Sequence, residues 1–442
     1  MSEPAPITVR RRQGRALFVV AEVLLLLAVP LLSVVGFRAV LDTTGGQVVD
    51  PELDPTEPGY EAVLARTPVA LVAGLDPAGG LDWVTVLVLS GAGERGGEVL
   101  FLPTGIVIDE VETSPGAAAG PPRTLAEVWT GDGQEGLTIA VAALLAASFS
   151  EVVEVDGTRM TSLLGPVTPL AVANPGEVVV PDEDGGTSVA IEAGPVALGA
   201  GEVPTYLGGP APDESDLTRL ARHEVFWQAW LAAVAVSADP GVVPGEATGG
   251  IARYVRGLAA GPVTVQVAPV VPFPSAETGD GATGSEAGPD AADAAVPGER
   301  FEVDLVALRA LANELIPFPG AATPGARVRV RVLDGVGEPG LASAVARAAV
   351  RGISAEITVI GNADRFGVTG SRVLWIDEPA EAPARRLGEA LGVADVARVE
   401  GPNPFDDVDV TLVVGADLAA AYRSGGEGTV PLPPPDGGDP PG

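Results

Sequence analysis

The sequence predicts an α/β protein, with two layered domains outside a membrane behind a single N-terminal transmembrane helix. Three observations carry this reading. An apolar run fills residues 17–37 directly after a cluster of arginines. From Thr67 onward, short β-branched runs alternate with helical stretches, the pattern of an α/β layered domain. From Ala326 the alternation begins again and continues to residue 418.

The run Leu17–Phe37 reads LFVVAEVLLLLAVPLLSVVGF, with Glu22 its one charge. A helix needs about 20 apolar residues to cross the hydrocarbon core. Arg10, Arg11, Arg12 and Arg15 precede it and hold residues 1–16 in the cytoplasm. The chain is thus expected to be a single-pass protein of the cell membrane with its bulk extracytoplasmic. The alternative is a cleavable signal peptide, whose apolar region runs roughly 7–15 residues before a small-residue site. Gly36-Phe37-Arg38-Ala39 is a poor site of that kind. Glu22 lies near the cytoplasmic end, within reach of the interface or Arg15, and reads as structural.

Composition removes several functions. The 442 residues carry a net charge of −33, and all 26 basic residues are arginine. Nucleic-acid binding depends on neutralising phosphates with basic side chains, so that role is excluded. A divalent cation bridging the chain to an anionic wall polymer remains compatible. There is no cysteine, which excludes disulfides, thiolate catalysis and zinc–thiolate sites. His223 is the single histidine. Chemistry must therefore rest on Asp, Glu, Arg and a hard cation such as Mg²⁺.

Residues 38–66 are polar and proline-rich and read as a stalk. A first domain is expected over 67–320. Its strands are Val69–Ala73, Trp83–Leu89, Glu98–Leu102, Glu151–Val155 and Glu177–Val180, with a strand also placed within 152–167 and helices over 136–148 and 216–236. Residues 275–300 hold almost no large apolar side chains and read as a disordered insertion. Leu305, Leu308, Leu311, Leu315 and Ile316 restore helical spacing. A second unit, 326–418, opens with the alternating strand Arg327–Leu333 and reads as a small α/β sandwich. The Gly/Pro-rich tail 424–442 is expected to be unstructured.

The segment RVRVRVLDGVGEPGLASAVARAAVRGI and the closing DVDVTLVVGADL resemble the LytR C-terminal domain. The order of elements over 67–320 is similar to the extracytoplasmic domain of the LytR-CpsA-Psr (LCP) proteins. That family is membrane-anchored and moves glycopolymers from a polyprenyl-pyrophosphate lipid onto peptidoglycan. The resemblance carries over residue by residue. Asp82 stands where the family's Ser-Asp pair helps hold a divalent cation. Leu102-Pro103-Thr104-Gly105 replaces an Ile-Pro-Arg-Asp segment, so an arginine and a carboxylate are missing. Arg123-Thr124-Leu125 echoes Lys-Ile-Asn, and Tyr206 is kept from a Leu-Asp-Gly segment. Gly208 and Pro210 occupy the places of an Arg-x-Arg pair. Asp216, Arg219 and Arg222 are kept from Asp-x-x-Arg-x-x-Arg-Gln, with His223 in place of the glutamine.

The resemblance implies catalytic roles for Asp216, Arg219 and Arg222 and a metal role for Asp82. It implies substrate contacts for Arg123, Tyr206, Phe226 and Trp230, the last two on a helix that lines an apolar lipid tunnel in the family. Each has a plainer reading: Asp216 and Arg219 as a surface pair, Asp82 as the end of a strand, the aromatic residues as core. Diphosphates are clamped by planar, permanently charged donors, and Thr104, Gly208 and Pro210 supply none. The leading expectation is an LCP-type protein that has lost catalysis and acts by binding lipid-linked glycopolymer or an active paralogue. One alternative is an active phosphotransferase in which Arg219, Arg222, Arg123 and a cation on Asp82 converge. Another is a wall-binding protein gripping anionic polymer or peptidoglycan through a basic stripe of Arg327, Arg329 and Arg331.

Overall fold

The computed structural model describes residues 54–425, apart from residues 92, 109–120, 183–185, 210–213, 238, 240, 247, 274–298 and 401–406. The expected segments 1–16 and 17–37, the start of the stalk, Pro210, nearly all of the 275–300 insertion and nearly all of the tail lie outside these residues. Among the described residues no helix is long and apolar enough to cross a membrane.

The first domain is built on a five-stranded mixed sheet. Its order is Val263–Val267, Gly97–Leu102, Leu81–Val88, Val69–Leu75 and Glu151–Val155. The interior strand VALVAGL is buried on both faces, as a near-continuous apolar run must be when helices cover both sides. Ala70, Val72, Leu87 and Phe101 face the helices Asp216–Ala235 and Gly250–Ala259. Leu71, Val86, Leu100 and Leu102 face the helices Leu125–Leu145 and Leu305–Leu315. The result is an α/β/α sandwich.

Two local expectations change. The helix expected from residue 136 begins at Leu125, where Thr124 and Glu127 form a capping box. It is interrupted at Gly133, whose φ of 64° and ψ of −152° only glycine adopts readily. The strand placed within 152–167 ends at Val155. Asp156 then accepts the N–H of Arg159 and starts a helix over Gly157–Leu164.

The second domain is a six-stranded sheet ordered Glu61–Val63, Glu356–Asn362, Arg329–Asp334, Val410–Val414, Arg372–Trp375 and Asp395–Arg398. Helices Leu341–Ile353 and Glu381–Leu391 pack on it around Val330, Val332, Val345 and Leu412. Its first strand comes from the end of the expected stalk: Glu61–Val63 pairs antiparallel with Val359–Gly361. A three-residue strand is too short to register as a period-two pattern.

The alternating arginines do not form an open basic stripe. Arg327 is only 3% exposed. Arg329 pairs with Asp407 and Asp409, and Arg331 with Glu61. A wall-binding role through this stripe therefore loses its charge.

Candidate functional site

A cavity of about 1060 Å³ opens at one end of the first sheet. Its walls are mainly apolar, with Leu75, Trp83, Met160, Val179, Pro204 and Leu207 contributing. Three carboxylates also line it, Asp76, Asp82 and Asp156. Among the described lining residues there is no arginine. The local sequence explains the shape. Asp76 accepts N–H groups from Ala78 and Gly80 and turns the chain into the strand of Asp82. Asp156 caps the helix carrying Met160. Trp129 donates its indole N–H to the Gly79 carbonyl at 3.0 Å and ties the neighbouring helix to that turn.

Asp82, Arg219 and Asp216 come together beside this cavity. Ser215 caps the site helix, and Asp216 and Arg219 lie in its first turn. Arg219 donates to Asp216 Oδ1 at 2.8 Å and reaches Asp82 Oδ1 at 3.4 Å. Burial raises the carboxyl pKa of both Asp82 and Asp216, and the Arg219 charge opposes that rise. Gly208 sits against Asp82 so closely that a Cβ there would collide with Oδ2. A Cβ at Gly105 would likewise collide with the carbonyl oxygen of Glu299. At Gly208 and Gly105, two of the places where the LCP resemblance expects charged side chains, the space is thus filled by other atoms of this chain.

Arg222 faces inward. It is 0% exposed and donates through Nη2 to Glu214 Oε2 and the Gly209 carbonyl, both at 2.7 Å. Burial lowers its pKa, opposed chiefly by the Glu214 charge. Its Nε and Nη1 have no described partner. Tyr206 lies beneath the guanidinium, 5.8 Å away, and burial pushes its hydroxyl up to about 12. Tyr206, Phe226 and Trp230 are each 0% exposed, so they pack the core and present no surface to the cavity. Arg123 pairs with Asp132 at 2.8 Å, at the start of the helix Leu125–Leu145, and does not line the cavity. Arg219, Arg222 and Arg123 therefore have three different sets of ion-pair partners among the described residues.

The residues near Asp82 do not fit Mg²⁺. A hard cation takes several oxygen ligands. Here Asp82 is shared with a guanidinium, and Asp76 is committed to its turn. Among the described residues no group of three or more His, Asp or Glu is placed to hold a metal.

His223 is fully inside. Its Nε2 donates to the Leu207 carbonyl at 3.1 Å, and its ring meets Trp83 and Phe101 edge-on. Burial first, and the Arg219 charge second, lower its pKa from 6.5 to about 3. The unfolded chain then takes up a proton below pH 6.5 that the native state refuses down to about pH 3. Stability from this residue is complete above pH 6.5 and falls by up to about 1.4 kcal/mol per pH unit below it. Asp82 and Asp216, with raised values, contribute in the opposite sense. Urea midpoints of wild type minus His223→Gln across acidic pH isolate the histidine. A difference that stays flat as pH falls would overturn the assignment.

Residues 327–418 match the family described as LytR cell envelope-related transcriptional attenuator. This unit is a LytR C-terminal domain. The chain is also similar to several solved structures. TagV of B. subtilis is 14% identical, covering 56% of this chain and 96% of that one, with a TM-score of 0.40. TagT of B. subtilis is 16% identical over 61% of this chain and 95% of that one, with a TM-score of 0.40. A transcriptional regulator from Enterococcus faecalis is 14% identical over 57% and 87%, with a TM-score of 0.41. No curated protein sequence matches the chain. The LytR C-terminal domain carries the junction with the first domain, because its Arg327 reaches the Ala146 carbonyl and Asn313.

Helical spacing pairs Asp216 with Arg219 in the sequence, but nothing in that spacing marks the cavity walls. Met160, Val179 and Pro204 carry no chemistry that would mark them in a sequence. The capping aspartate before Gly157 is the one local signal of them.

Proposed function

We propose that this is a membrane-anchored, extracytoplasmic protein of the LCP type, acting in cell-envelope glycopolymer assembly by binding rather than by phosphoryl transfer. The anchor is residues 17–37, with residues 1–16 cytoplasmic. The partners in this reading are the membrane, a lipid intermediate or peptidoglycan, and an active LCP paralogue. The LytR C-terminal domain supports an envelope setting, and the motif resemblance supports the LCP type.

One observation carries the binding reading. The cavity is large and mainly apolar, yet its described lining holds no fixed positive group, and the Arg219 and Arg222 guanidinium groups are engaged by Asp82, Asp216 and Glu214. Phosphoryl transfer needs positive charge where negative charge develops, and loss of one such clamp costs orders of magnitude in rate. The test is a glycopolymer-transfer assay with the full chain, Mg²⁺, peptidoglycan and a polyprenyl-pyrophosphate-linked donor. The expected result is no turnover above background. Steady turnover abolished by Asp82→Ala would reinstate the enzyme. Removal of residues 17–37 is expected to release the protein from the membrane fraction; retention there would refute the anchor.

A further inference from the structure

Residues 54–64 lie against the LytR C-terminal domain as a bound peptide would. The matched unit spans residues 327–418, and Glu61 stands 270 positions before its partner Arg331. The backbone bonds are those of an added strand. Asn362 donates to the Tyr60 carbonyl at 2.7 Å, Leu64 to the Thr358 carbonyl at 2.9 Å, and Gly59 to the Ala363 carbonyl at 3.0 Å. The Asn362 side chain also donates to the carbonyls of Pro55 and Glu57. Glu61, 9% exposed, accepts from Arg331, and Leu64 packs on the core of the domain.

Gly361 separates an occupant from an ordinary strand. Its φ is not left-handed, so the strand Glu356–Asn362 does not need glycine for its own course. A Cβ there would collide with the Tyr60 carbonyl oxygen and would stand 2.9 Å from Cα and Cγ of Glu61. All three nearest atoms belong to the segment. Glycine inside a strand marks the close approach of another backbone. In the sheet order, Glu356–Asn362 lies between Glu61–Val63 and Arg329–Asp334, so Glu61 passes over Gly361 to reach Arg331. The segment also spans a cavity of about 400 Å³, with Thr56 and Tyr60 on one wall and Pro339 and Phe366 on the other. Packed cores hold few voids larger than a water molecule, so the segment bridges the domain without merging into its core.

In β-addition, main-chain bonds hold an extended peptide and side-chain contacts select it. We infer that the LytR C-terminal domain carries a strand-accepting site for an extended, carboxylate-bearing peptide, and that residues 54–64 fill it in cis.

The test uses the full chain in detergent, with Glu61→Arg and Ala62→Pro together opening the segment. The pairing of Tyr60 with Asn362 and of Leu64 with Thr358 puts the Ala62 N–H on the ladder side, and proline removes it. The probe is a fluorescent peptide of residues 54–64, DPTEPGYEAVL. Anisotropy should show it binding the opened chain and binding wild type at least about tenfold more weakly, because a tethered segment competes at an effective concentration near mM. The peptide carrying Glu61→Arg should not bind the opened chain, and should bind once that chain also carries Arg331→Glu. Gly361→Val in the opened chain should abolish binding of the unaltered peptide. Hydrogen exchange controls for the fold. In the opened chain, residues 356–362 should exchange at least about tenfold faster, while 329–334, paired on both sides, keep their protection. Lost protection in both strands makes the segment an integral strand and overturns the site. So does a peptide that fails to bind while 329–334 stay protected. Equal binding by the opened and wild-type chains overturns filling in cis, as does retention of untagged wild type by a tagged opened chain, which would assign the strand to a second copy.

Discussion

Replacing Arg327 with alanine is expected to destabilise the protein by about 3–5 kcal/mol, the usual cost of removing one partner of a buried charged network. Arg327 donates to the Ala146 carbonyl, the Ala355 carbonyl and Asn313 Oδ1, so it joins the first domain to the LytR C-terminal domain from inside the junction. Burial lowers its pKa to about 10, with Glu356 the main opposing charge. Alanine leaves three acceptors with no donor and an empty space the length of an arginine. The other ties across this junction are smaller. Asn313 donates to Ser354 Oγ at 2.9 Å, and the Arg66–Glu356 ion pair has its arginine 64% exposed. Exposed pairs contribute about 1 kcal/mol at most. Calorimetry of Arg327→Ala should show a lower midpoint, with the transition of the LytR C-terminal domain separating from that of the first domain. A melting profile superimposable on wild type would show that the junction does not depend on this residue.

Trp230→Ala is expected to cost a similar amount, about 3–5 kcal/mol, by the mechanism of large-to-small substitution in a packed core. Trp230 is 0% exposed, 5.6 Å from the ring of Phe226 and 5.2 Å from that of Trp227. Its indole nitrogen has no described partner. Trp230→Phe gives up that unpaired group along with some volume and should therefore cost far less, about 1–2 kcal/mol. Chemical denaturation of the two variants separates the cases. The same pair tests the site assignment. If Trp230 met a ligand, alanine there would abolish binding of the polyprenyl-pyrophosphate-linked donor while leaving the unfolding midpoint near wild type. The core assignment requires the reverse, a large stability loss with binding kept in the folded fraction.

The two outcomes bear on how much of the site is legible in the chain alone. Asp216 and Arg219 are three residues apart on an amphipathic stretch, so helical periodicity by itself puts them on one face. Asp82 joins them across 137 positions of sequence through Arg219, whereas the LCP resemblance implies a cation-holding role for it. The same resemblance places Tyr206, Phe226, Trp230 and Arg123 at the substrate. The first three are in the interior, and the last is bound to Asp132. An aromatic on an amphipathic helix faces either a core or a cavity, and periodicity cannot distinguish the two because both are apolar.

Sequence alone determined the α/β class, the break between two domains near residue 326, and the absence of thiol and histidine-cluster chemistry. These follow from composition and from local patterns of period two and 3.6, which depend only on near neighbours in the chain. The shortage of arginine where a diphosphate would need it is what the LCP resemblance implies. Tertiary structure decided where each remaining charge is spent. It turned Arg222 onto Glu214, set Arg219 between Asp82 and Asp216, closed the space at Gly208, and brought Glu61 and Arg331 together from 270 positions apart. A charge is satisfied by whatever lies within a few ångströms in space, and that neighbour is set by packing between segments far apart in sequence.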